Sequence, residues 1–271
     1  MKSRILPTVA AACVGSISVI TAHDARSAPA GGSFFEDFTS LAHDRWYLSD
    51  GWDNGPHQNC TWSRRNVKVE NGTAYLTLSD QPYKNREFSC AELQTRRFYS
   101  YGTYEVRMKP AAGSGLNSAF FSYTGPSHGN RHDEIDFEFL GKNSKSVYIN
   151  YHVNYQQSTD GKKHEKYLSL PFDATESMND YAFQWTPDAL RWFVNGELVR
   201  EVKRSETPLP ETPQKIYLSI WNARNKSTEA WMGRWSYPGK PFVASIDYIA
   251  FTAPGDKCQF PKSVVCKFNP Q

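Results

Sequence analysis

The stretch Asn130-Arg131-His132-Asp133-Glu134-Ile135-Asp136-Phe137-Glu138-Phe139-Leu140-Gly141 organises the chain. Read as a β-strand, its period of two puts Glu134, Asp136 and Glu138 on one face. Ile135, Phe137 and Phe139 fall on the other, where an apolar row belongs in a core. Stability gives no reason for the carboxylate row, because like charges two positions apart repel and raise each other's pKa values. Such a row persists when it is solvated, paired, bound to a metal, or used.

The spacing suits use. Glu134 and Glu138 are four residues apart, so their Cα atoms lie roughly 13 Å apart at about 3.3 Å per residue. Two glutamate side chains leaning together close much of that gap, towards the roughly 5–5.5 Å expected of a retaining glycosidase pair. Asp136, between them, can hydrogen-bond either partner and hold one proton in the cluster. A calcium loop is the competing reading, but strand-like alternation lacks the glycine turn and oxygen-rich spacing of an EF-hand.

Working outward, short alternating segments recur and helix is nearly absent. Val67 and Val69 lead into an Asn71-Gly72 turn, and Tyr75, Leu76 and Leu78 come back. Tyr104, Val106 and Met108 alternate with polar residues, as do Phe121 and Tyr123. Val147 to Val153 follows the acidic strand as its expected neighbour. Tyr181 to Trp185 and Leu190 to Val194 form a pair, and Asn195-Gly196 turns into Leu198-Val199. Ile216 to Trp221 and Val243 to Phe251 close the series. Strands at this spacing, with Gly, Pro and Asn between them, predict an all-β sandwich or barrel in one domain.

The first 30 residues read as an address. Lys2 and Arg4 precede a mostly apolar or small run from Ile5 to Ala22, and Ala22, Ala25, Ala28 and Ala30 offer cleavage points between 22 and 30. This predicts a secretory signal peptide and a secreted protein with no membrane span after cleavage. Removing Cys13 leaves Cys60, Cys90, Cys258 and Cys266, an even set that suits export and permits three pairings. Neither close pair has Cys-x-x-Cys metal spacing. A net charge of +3 with scattered Lys and Arg argues against nucleic acid. Aromatic residues make up 14%, including eight Trp, more than a core of this size needs, and sugar-binding clefts use such an excess.

Glu134-Ile135-Asp136-Phe137-Glu138 followed by Phe139-Leu140-Gly141 resembles the signature of glycoside hydrolase family 16. Within it, the chain is similar to the bacterial lichenases (endo-1,3-1,4-β-glucanases), and more so to the secreted exopolysaccharide depolymerases of succinoglycan-producing rhizobia. Ser33-Phe34-Phe35, Asn59-Cys60-Thr61-Trp62, Tyr101-Gly102-Thr103-Tyr104-Glu105-Val106, Ser122-Tyr123-Thr124-Gly125-Pro126, His164-Glu165-Lys166, Tyr181-Ala182-Phe183 and Trp231-Met232-Gly233 carry the likeness. It runs from about Phe34 to Thr252.

The resemblance implies a concanavalin-like β-jelly-roll sandwich of two antiparallel sheets with a concave cleft. It divides the chain into a catalytic domain over 31–255 and a tail over 256–271. Glu134 is then the nucleophile, Glu138 the acid/base and Asp136 the group that tunes their pKa values. Glu92 and Gln94 would alternate into the cleft, with Trp52 and Asn54 as a sugar platform on a loop. Phe121 with Tyr123, Asn150 with His152, and Trp221 with Trp231 complete the implied substrate-binding set. A lone Trp or Phe in a sandwich is more often core, and the likeness reverses that for Trp52, Tyr123 and Trp221. His152 reads either as a proton-sharing partner of Glu138 or as a structural histidine. The likeness also implies the pairs Cys60–Cys90 and Cys258–Cys266, the second stapling a tail that lichenases lack. Catalysis would need no cofactor, but Gly72 and Asp247 match the positions at which lichenases hold a structural calcium.

Three positions depart from the lichenases: Gln94 stands where they carry Arg, His132 where they carry Trp, and Ser219 where they tend to carry Asn. These departures and the tail cysteines favour the exopolysaccharide subgroup. The expectation is a monomeric, endo-acting retaining hydrolase of β-1,3/β-1,4-linked glucan or succinoglycan-like exopolysaccharide. A transglycosylase would use the same residues, and a non-catalytic carbohydrate-binding jelly roll would share the aromatic platforms without needing three aligned carboxylates.

Overall fold

The computed structural model describes residues 31–159 and 162–268, so the expected signal peptide lies outside the described residues. In chain order the strands are β1 (Phe34–Glu36), β2 (Trp46–Leu48), β3 (Cys60–Trp62), β4 (Val67–Glu70), β5 (Thr73–Leu78), β6 (Phe88–Thr95), β7 (Gly102–Lys109), β8 (Leu116–Thr124) and β9 (Asp133–Leu140). Then come β10 (Ser146–Val153), β11 (Ser158–Thr159), β12 (Lys162–Lys163), β13 (Lys166–Ser169), β14 (Asn179–Trp185), β15 (Ala189–Val194), β16 (Glu197–Lys203), β17 (Lys215–Asn222) and β18 (Phe242–Thr252).

Two large sheets face each other. One runs β13-β10-β9-β8-β17-β6-β2, the other β16-β15-β14-β7-β18-β5-β4, and β1 joins the second sheet on β18. The ladders along both sheets are antiparallel, as expected, and the short β3, off the path of the first sheet, adds a three-residue parallel pairing with β6. The Cys60–Cys90 disulfide joins those two strands across 5.7 Å between Cα atoms.

Local chemistry sets the register. Asn71 and Gly72 have φ of 52° and 71°, and Asn195 and Gly196 have 49° and 77°. These are the left-handed pairs that a two-residue hairpin turn needs. They bring Glu70 opposite Thr73 and Val194 opposite Glu197.

Period two does the rest. Ile135 and Phe137 are fully buried between the sheets and Phe139 nearly so, each burial contributing about 1.5–3 kcal/mol. Phe137 stacks near Phe120 of β8, and Trp192 of the opposite sheet donates through Nε1 to the Asp136 carbonyl at 3.2 Å. A one-residue slip of β9 would turn three carboxylates into this core, so the register of the acidic row is strongly specified.

The sequence reading passed over two short helices. Helix α1 (Lys226–Met232) starts at Asn225, whose side chain accepts from the Thr228 N–H while Thr228 reaches back to the Asn225 N–H, a capping box. Helix α2 (Val264–Phe268) belongs to the C-terminal tail. The tail, closed on itself by the Cys258–Cys266 disulfide, lies against the second sheet, where buried Glu105 of β7 holds it. Among the described residues no helix is long and apolar enough to cross a membrane.

Candidate active site

The first sheet presents its outer face as a cleft of about 860 Å³. Strand pairing lays side chains across it in rows. Tyr148, Glu138, Ala119, Ser219 and Glu92 form one, and Asn150, Asp136, Phe121, Tyr217 and Gln94 the next. His152, Glu134, Tyr123 and Lys215 form the third. The acidic row therefore crosses all three, flanked by aromatic rings and amides.

Each carboxylate has a different environment. Glu138 Oε1 accepts from Asn117 Nδ2 at 2.7 Å. Burial raises its pKa to about 8, the Asn117 hydrogen bond pulls the other way, and the Glu134 charge adds to the rise. Asp136 is buried, and burial, then the charges of Glu134 and Glu138, push its pKa well above the carboxylate range. Glu134 Oε2 accepts from His132 Nε2 at 2.5 Å. The row thus holds protons at Asp136 and Glu138 while His132 anchors Glu134.

The rest of the expected set divides. Trp52, 39% exposed, lines the cleft edge-on to Trp62, and Asn54, Glu92, Gln94, Phe121, Tyr123 and Trp221 line it too. Phe121 stacks on Tyr217 at 4.8 Å. Glu92 is 2% exposed, accepts from Ser49 Oγ at 2.6 Å, and is raised by burial to about 7. Gln94 donates to Ser49 Oγ at 3.2 Å and accepts from Lys215 Nζ at 3.2 Å.

Three expectations need correction. His152 is not beside Glu138: the β9–β10 register sets it opposite Glu134, and Tyr148 takes the place next to Glu138. Asn150, beside Asp136 in its cleft-face row, is 2% exposed and donates to His152 Nε2 at 3.2 Å, so its amide holds that ring instead of being open to a substrate. Trp231 sits on α1, edge-on to Tyr148 and against Trp221, and is likewise off the cleft lining.

Asn117, Tyr217, His57, His128 and Tyr155 were missed. Asn117 and Tyr217 were within reach of the reading, since alternation extended two residues back from Ala119 and from Ser219 finds both. His57 and Tyr155 arrive on loops and His128 at the end of a one-turn 3-10 helix (Pro126–His128), where no period points.

The calcium match fits only in part. Gly72 lies in its turn near the Asp37 carbonyl, but Arg107 Nε holds Asp247 Oδ2 at 3.1 Å. An ion there would have to take that carboxylate from a guanidinium.

A sandwich whose outer face carries an acidic strand, with the carboxyls of Asp136 and Glu138 held protonated inside an aromatic cleft, fits a glycoside hydrolase. The chain belongs to glycosyl hydrolases family 16, whose model matches residues 54–237. It is 47% identical over 238 residues to the endo-1,3-1,4-beta-glycanase ExoK of Rhizobium meliloti (strain 1021), covering 88% of this chain and 85% of that one. It is 40% identical over 227 residues to a beta-glucanase of Bacillus amyloliquefaciens, covering 83% and 89%. The solved structure of the Bacillus licheniformis beta-glucanase superimposes with a TM-score of 0.75 at 39% identity, over 82% of this chain and 99% of that one.

Proposed function

We propose that the chain is a secreted, endo-acting, retaining hydrolase of β-1,3/β-1,4-linked glucan or of a succinoglycan-like exopolysaccharide. The observation that carries this is Glu138: a carboxyl kept protonated near neutrality, oriented by Asn117, on the same strand face as Glu134. Glu134 attacks the anomeric carbon while Glu138 gives its proton to the departing glycosidic oxygen. Esterification removes the negative charge of Glu134, and with it one of the influences that hold the Glu138 pKa up. Glu138, now a carboxylate, takes a proton from water, which attacks the glycosyl ester and frees Glu134.

The linkage follows from the endo-1,3-1,4-beta-glycanase and beta-glucanases to which the chain is similar. Gln94 and Ser219, both in the cleft, support the exopolysaccharide side of that choice. Export is supported by the two disulfides, which persist in oxidising compartments. A calcium at Gly72 and Asp247 joins the proposal only if it displaces Arg107.

The test is reducing-sugar release and product size on lichenan and on succinoglycan, with Glu134→Gln as control. Short oligomers from either polymer, and none from the variant, are expected. Wild-type turnover by a folded Glu134→Gln would sink the assignment. Transfer of product onto an added oligosaccharide, in place of reducing ends, would make it a transglycosylase.

A further inference from the structure

The Glu134 end of the cleft holds a second arrangement that the hydrolytic mechanism leaves unused. His152 stands directly opposite Glu134 in the β9–β10 pairing, and His132 lies two residues before it, so both rings reach the same face. The rings are 4.8 Å apart with 13° between their planes. Both turn Nε2 towards one oxygen: His132 Nε2 is 2.5 Å and His152 Nε2 3.8 Å from Glu134 Oε2. The three atoms all lie within 4.8 Å of one another.

Those separations suit a metal. A tetrahedral zinc with ligands at about 2.0–2.1 Å sets neighbouring donors roughly 3.4 Å apart. The observed spacings bracket that value, so rotation of side chains can close the shell while the sheet stays still.

Unsatisfied chemistry points the same way. His152 Nε2 accepts from Asn150 Nδ2 at 3.2 Å, which puts its lone pair on that nitrogen and its ring proton on Nδ1. Nε2 nevertheless lies 3.8 Å from Asp136 Oδ2 as well as from Glu134 Oε2. Asp136 Oδ2 is buried and accepts no hydrogen bond from any described group. Four potential ligand atoms thus converge, and an ion binding among them would replace the proton that His132 donates to Glu134, the Asn150 hydrogen bond to His152 and the proton held at Asp136.

We propose that His132, Glu134 and His152 form a binding site for a divalent metal of borderline softness, zinc or copper, with Asp136 Oδ2 in reach as a fourth donor. Two imidazoles and a carboxylate favour these ions over calcium or magnesium, which take oxygen ligands. The bound ion engages the carboxylate that the proposed mechanism uses as nucleophile, so metal and polysaccharide exclude each other. Only this inhibitory consequence rests on the proposed function. The site itself does not.

The experiment is calorimetric titration of zinc chloride into the full chain near neutral pH, beside zinc inhibition of lichenan hydrolysis and its reversal by a chelator. One ion per chain is expected. His132→Phe and His152→Phe, which keep a ring in place, should each weaken binding by at least about tenfold. The inhibition constant should match the dissociation constant. Absence of binding, or equal binding by folded His132→Phe and His152→Phe, overturns the site. Site-dependent binding by a chain that cuts neither polysaccharide upholds the site and instead defeats the hydrolase reading.

Discussion

Asn117 Nδ2 donates to Glu138 Oε1 at 2.7 Å, from the neighbouring strand, the one side-chain hydrogen bond among the described residues that orients the carboxyl proposed as acid/base. It has two effects of opposite sign. It aims the proton, and by favouring the carboxylate it holds the pKa of Glu138 at about 8, below where burial and the Glu134 charge alone would put it. Asn117→Ala should therefore lower kcat by roughly ten- to a hundredfold through misplacement. It should also move the alkaline limb of the pH profile of kcat/KM upward, because that limb reports loss of the acid proton from the free enzyme. A fall in kcat with an unmoved limb would leave Asn117 with positioning alone.

Glu92 couples stability to pH. Its folded pKa is raised from 4.5 to about 7 by burial, so the folded state holds a proton that the unfolded state has already released. Stability from this group is greatest below pH 4.5 and is lost as pH rises through about 7. At about 1.4 kcal/mol per pKa unit the loss is on the order of 3 kcal/mol. Glu92→Gln should melt at about the wild-type temperature in acid and higher than wild type above neutrality, while KM for polysaccharide rises. Parallel melting curves for the two proteins from acid to alkaline pH would refute it.

Much of this was legible in the chain because one period and one turn signal carried it. Alternation in β9 placed the three carboxylates on one face and three apolar side chains in the core, and the Asn-Gly pairs marked two hairpins. The disulfide pairs and the cleft aromatics Trp52, Tyr123 and Trp221 came from the family likeness. Register was not legible, since period two says which face a residue takes and nothing about which residue stands opposite it. That is why His152 reads either as a partner of Glu138 or as a structural histidine, whereas the register sets it at Glu134. The parallel β3–β6 contact and the capped helix under Trp231 were too short to show a period.

On the far sheet, Arg107 bridges Asp247 and Asp180, with Nε 3.1 Å from one and Nη1 3.1 Å from the other. The guanidinium already neutralises the carboxylate that a calcium would need. Melting curves in calcium and in chelator should therefore coincide. Arg107→Ala leaves Asp247 without that partner and should make any calcium effect appear or grow. A calcium-dependent rise in the wild type would mean that the ion displaces Arg107 and that Gly72 and Asp247 do form its site.

The tail is held by a clasp remote from the cleft. Ser263 Oγ donates to Glu105 Oε2 at 2.6 Å and the Val264 N–H to Glu105 Oε1 at 2.8 Å, both buried. Phe260 packs on Phe35 and Tyr248 beside it. Loss of one buried hydrogen bond to a carboxyl costs about 1–3 kcal/mol when a partner is left unsatisfied. Glu105 keeps its second donor in Ser263→Ala, so the lower half of that range applies. Ser263→Ala should lower the melting temperature and speed proteolytic trimming of the tail, with kcat and KM unchanged, because β7 and the cleft belong to different sheets. If activity fell instead with the melting temperature unmoved, the tail would have to act on the cleft across the core.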